Sequence, residues 1–135
     1  MRIFQGVLLI ATFLYAYVAA AVLKPSSMAP RAVLEAMQVE AVGLIVIALI
    51  VRRRMLAPAV EILRLNPSDA KALNRWRTAN VVSLIFAEAV ALIGVAVRAL
   101  GGSGWTVWSF FVGAIVLMLL WTPRLDEGIV AKAES

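Results

Sequence analysis

"SLIFAEAVALIGVAV", residues 83–97, is apolar on both sides of a single carboxylate, Glu88. The run extends from about residue 78 to residue 100, and a helix needs about 20 predominantly apolar residues to cross a bilayer. Outside the run the same character holds. Of the 135 residues, 63% are hydrophobic, and the mean hydropathy is +0.93, well above that of a soluble domain. The sequence therefore predicts an all-α integral membrane protein.

Three further runs complete a four-helix bundle. Residues 3–23, "IFQGVLLIATFLYAYVAAAVL", are closed by "KPSSMAP", whose prolines and serines break a helix. Residues 32–51 carry Glu35 and Glu40 in their first half and stop at Arg52, Arg53 and Arg54. A "GGSG" turn at 101–104 separates the third span, 78–100, from the fourth, 105–121. At this length there is room for one domain, residues 1–135, and no second.

Charge sets the orientation. The connection 52–77 holds Arg52, Arg53, Arg54, Arg64, Lys71, Arg75 and Arg77, seven of the 13 basic residues. Basic loops stay on the cytoplasmic side, so four spans put both termini in the cytoplasm. Arg2, Arg124 and Lys132 agree, whereas Lys24, Arg31 and Arg98 fall on the outer side. Trp76 and Trp121 then fall at the inner interface and Trp105 and Trp108 at the outer one. The first run is also compatible with a cleaved signal peptide, since it has a basic start and ends in the small residues of "YVAAAV", but it exceeds the apolar core of a typical signal.

Within the basic connection, "LAPAVEILRL" predicts a short helix in the headgroup region. "NPSD" predicts a turn, with Ser68 capping a helix that continues into the third span. Arg52, Arg53, Arg54, Arg64, Arg75 and Arg77 are candidates for a surface that meets anionic lipid or a partner chain, beside the simpler role of anchoring topology.

Glu88 lies ten residues into the third span, roughly 15 Å deep and close to the bilayer centre. Insertion of an ionised carboxylate there costs about 2.5–3.5 kcal/mol, so it should protonate, face the bundle interior or find a donor. Levelling the helices brings Thr12, Phe13, Gly43 and Gly113 to its depth, and the glycines suggest a closely packed site. Glu40 is the nearest carboxylate in depth and a second ion-binding candidate. Arg98 and Glu35, near the outer end, are candidates for counter-charge or relay, with Arg98 pairing with Glu35 or Glu40 or reaching outward to water. Tyr15 and Tyr17 read as packing residues.

Around Glu88, "FAEAVALIGVAV" resembles the ion-carrying helix of the F-type ATP synthase c subunit over about twelve residues. The resemblance implies that Glu88 carries a proton or sodium ion in a ring of identical chains. The sequence departs from that family in three ways. The first two spans hold only Gly6 and Gly43 in place of a glycine-rich packing helix, the connection is long and basic, and another span follows Glu88.

Catalysis finds little support. Cysteine and histidine are absent, which removes thiolate and imidazole chemistry and the usual metal and haem ligands, and no phosphate-binding loop occurs. No cofactor or metal is expected, and the basic balance is read as topology, with no nucleic-acid partner. The expectation is a small non-enzymatic multi-pass protein of the bacterial inner membrane. Its partners are the lipid bilayer and either other membrane chains or copies of itself, in an accessory or assembly role. The alternative is a homo-oligomeric proton or cation translocator using Glu88.

Overall fold

The computed structural model describes residues 2–22 and 30–124, and every residue it describes outside the turns and chain ends is helical. Helix α1 spans Arg2–Tyr17 and continues as a π-helical turn, Val18–Val22. Helices α2, Arg31–Leu65, and α3, Ala70–Ala99, form a long hairpin, and α4 spans Gly104–Leu120. The segment 24–29 of the expected first turn and the tail 125–135 lie outside the described residues.

Three helices, Arg2–Val22, Arg31–Leu65 and Ala70–Ala99, are long and apolar enough to cross a membrane. α4 is equally apolar in character but has 17 residues, about 26 Å of helix against a hydrocarbon core of about 30 Å.

The second apolar run does not end at its three arginines. α2 passes through Arg52, Arg53, Arg54 and Pro58 and stops only at Asn66. The expected loop 52–77 is thus almost wholly helical, and "LAPAVEILRL" is the end of α2, with no separate helix. The reason is visible in the packing: Ala59 and Leu63 of α2 bury themselves against Ala72 and Trp76 of α3. That apolar seam carries both helices on for about 20 Å beyond Arg52. Trp76 consequently packs in the hairpin core, 6% exposed.

The hairpin turn is set by short polar side chains. Pro67 follows the end of α2, and Asn66 Oδ1 accepts from the Ser68 amide at 3.3 Å and from Ser68 Oγ at 2.9 Å. Asp69 caps α3, its Oδ1 accepting from the Ala72 amide at 2.7 Å. The expected cap, Ser68, is occupied with Asn66 instead.

At the other end of α3, Gly101 takes φ 86°, and the Gly102 amide donates to Val97 O at 2.8 Å while the Gly101 amide donates to Arg98 O at 3.1 Å. This is the paired closure of a Schellman turn, which favours glycine at the left-handed position. Ser103 then caps α4 by accepting from the Thr106 amide.

α3 is the central helix. It packs against α1, α2 and α4, whereas the backbone of α2 closely approaches only that of α3 among the described elements. The α2 seam is built from small residues, Ala41, Ala48 and Ala59, all nearly inaccessible. Their spacing of seven and eleven residues returns to one helix face and lets the backbones approach. Between α3 and α4 the close approach is at Gly94, where a Cβ would come within 2.8 Å of Phe110 Cβ. Gly43 and Gly113, expected to pack near Glu88, have nothing within 4 Å of an added Cβ.

Candidate functional site

Glu88 faces inward, 9% exposed, on the side of α3 that meets α1. Its Oε2 accepts from Thr12 Oγ1 at 3.0 Å, which joins α3 to α1. Thr12 is fully buried, and its hydroxyl also stands 3.0 Å from Leu8 O, one turn back, and 3.7 Å from Met118 Sδ of α4. Leu84 and Ala87 of α3 pack with Met118 of α4 in one apolar cluster. Tyr15, three residues on along α1, is half-buried against the core, and Oε1 of Glu88 is buried with no hydrogen-bond partner among the described residues.

One hydroxyl proton serves two acceptors here. With Glu88 ionised, Thr12 donates to Oε2. With Glu88 protonated, its own hydroxyl donates to Thr12 Oγ1 and Thr12 turns its proton to Leu8 O. Oε2 is satisfied in both states.

The other acids and Arg98 stand apart from this site. Glu40 is exposed on α2, a helix that does not contact α1, and has no hydrogen-bond or ion-pair partner among the described residues. Glu35 is exposed and accepts from Arg31 Nε at 2.8 Å, an i,i+4 pairing at the start of α2. Arg98 donates from Nε to Ala19 O at 3.2 Å, in the π-helical turn of α1. It therefore pairs with neither Glu35 nor Glu40, as the sequence suggested, but holds a backbone carbonyl across the α1–α3 contact.

A second buried polar cluster lies toward the hairpin. Arg52 NH1 donates to Asn80 Oδ1 at 3.1 Å and to Ser83 Oγ at 3.3 Å, and its guanidinium lies 5.7 Å from the centre of the Trp121 ring. Asn80 and Ser83 are 1% exposed and are anchored in turn to Trp76 O and Ala79 O. Gln5 of α1, also buried, donates to Met118 O at 2.7 Å and to Thr122 Oγ1 at 3.0 Å. These contacts put both described chain ends at the level of Arg52, at one end of the bundle.

Arg53, Arg54, Arg64, Arg75 and Arg77 are exposed on the hairpin. Arg52, Arg53 and Arg64 line an open groove of about 800 Å³ with Leu56, Val60 and Trp121. Asn80, Gln5 and Thr122 were not singled out from the sequence, because each is a lone polar residue in or beside an apolar run. For Asn80 and Arg52 a signal existed. Arg52 falls four residues after Ala48 and eleven after Ala41, on the face turned to α3, whereas Arg53 and Arg54 fall off it.

Fold and site together define an all-helical protein with a carboxylic acid enclosed between helices long and apolar enough to cross a membrane. Comparisons with protein-family models, with curated proteins and with solved structures give no match. Among the described residues no group of three acidic, histidine or cysteine side chains is disposed to hold a metal ion.

Proposed function

We propose that this chain is a small non-enzymatic multi-pass protein of the bacterial inner membrane that serves as an accessory or assembly subunit of a membrane complex. The observation that carries the reading is the enclosure of Glu88 without a relay. Thr12 engages the acid within the helix contact, while Glu40, Glu35 and Arg98 face other surroundings, so among the described residues none of these three continues from it toward either end. An acid of this kind joins α1 to α3, which is a packing role. Cytoplasmic placement of the hairpin is supported by its seven basic residues, and the ends of the bundle fit with it, because residues 5 and 122 sit near the level of Arg52.

A second reading, a homo-oligomeric proton or cation translocator as the c-subunit resemblance implies, is favoured by one observation. Glu88 Oε1 is buried with no hydrogen-bond partner among the described residues, and a carboxylate oxygen of that kind is the acceptor a cation or a second proton donor takes. Vesicles containing the purified protein separate the two. Under an imposed membrane potential, the packing reading expects proton uptake no faster than in the Glu88→Gln variant. Uptake that requires the carboxyl would replace it with the translocator.

A further inference from the structure

We infer that the face of α2 centred on Glu40 docks a membrane-spanning helix of another protein, and that this helix brings a lysine or arginine to the depth of Glu40. The inference rests on the accessory-subunit reading and names the surface and chemistry of the missing contact.

Glu40 lies inside the most apolar stretch of α2, seven residues after Val33 and ten before Ile50. It is exposed, and nothing among the described residues bonds to it. In lipid that position is costly for a carboxylate unless a donor or a cation reaches it. Among the described residues none does. Arg31 is nine residues and half a turn around the helix away and is engaged with Glu35. Arg98 is engaged with Ala19 O on the α1 side of α3.

The surface around Glu40 suits a helix. Ala36, Glu40, Gly43 and Ile47 recur at intervals of four, three and four residues, which places them on one face. Gly43 has open space where a side chain would stand, and α3 is the one described helix whose backbone packs closely along α2. Small residues beside a polar one are how helices associate in lipid.

A second copy supplies less complementary chemistry. Copies share one orientation in a membrane, so α2 against α2 in a symmetric pair sets Glu40 against Glu40, two carboxyls that can share one proton but bring no cation to the site. Gln38, the nearest amide donor on the same helix, lies two residues back and about 160° around, on the groove between α2 and α4. Charge complementarity therefore selects a basic partner.

The probe is a synthetic membrane-spanning peptide of leucine and alanine with one central lysine, beside a twin with leucine in its place. Association with the labelled full chain is read by energy transfer in phosphatidylcholine vesicles. The lysine peptide is expected to associate on the order of tenfold more tightly than its twin. Glu40→Leu abolishes the difference and Glu88→Gln retains it. Equal association of the two peptides, or a lysine preference that survives Glu40→Leu, overturns the inference. Self-association of the chain that disappears in Glu40→Leu also overturns it and assigns the face to a second copy. Because the natural chain has no cysteine, Glu40→Cys reports its own surroundings. Ready labelling by a membrane-impermeant maleimide would remove α2 from the bilayer and take the membrane reading with it, whereas protection with no lysine preference removes the docking inference alone.

Discussion

Thr12 has one hydroxyl proton and two oxygen acceptors for it, and Glu88 supplies one of them. Replacing that hydroxyl by a methyl group in Thr12→Val keeps the volume and leaves Glu88 Oε2 without its donor. The expected cost is about 1 kcal/mol, read as a lower unfolding midpoint in detergent. Glu88→Gln is expected to be nearly neutral, since the amide donates to Thr12 Oγ1 while Thr12 turns to Leu8 O. Strong loss of folded protein in that variant would show that the acid is ionised and paired. Arg52 makes the opposite case, because its planar guanidinium reaches Asn80 and Ser83 while covering Trp121. Arg52→Lys preserves the charge but not that geometry, and it is expected to destabilise by about 1 kcal/mol on the same assay.

Helices meet in this chain through small residues, and the two kinds of glycine differ accordingly. Gly94→Ala forces a methyl group against Phe110 and is expected to cost about 1–3 kcal/mol by driving α4 from α3. Gly113→Ala enters open space, and the gain in helix propensity predicts a neutral or slightly raised unfolding midpoint. The four helices and the "GGSG" turn were legible in the sequence because apolar length and helix breakers act locally. Thr12 was legible at the depth of Glu88, since depth follows from counting residues. Which glycine lies at a contact was not, because rotation about the helix axis is set by the neighbours. The run through Arg52–Arg54 misled for a related reason. Charge density marks where lipid ends, whereas the helix continues as long as Ala59, Leu63 and Trp76 have a seam to bury. Asn80 and Ser83 were hidden in the same way, as polar residues whose partner is an arginine from the adjoining helix.

At the scale of the whole molecule, the structure is a central helix with three neighbours and a hairpin that outruns them. α3 contributes the buried acid, the partners of Arg52 and the close contact with α4. α1 and α4 close one side of it, while α2 keeps a broad apolar face open. The proposed orientation predicts that single cysteines at Arg53, Lys71 and Arg75 are labelled from the cytoplasmic side only, and labelling from outside would reverse the topology. In the proposed packing role Glu88 is a sealed acid joining α1 to α3. Carbodiimide reacts with a protonated carboxyl in apolar surroundings when it can reach one. The decisive measurement is its reaction with the purified protein in lipid across a pH series, with the modified carboxyls located by mass spectrometry. A sealed acid predicts no modification of Glu88 at any pH. Rapid modification of Glu88 that fades as the pH rises would contradict the account and make Glu88 an accessible, titrating carrier.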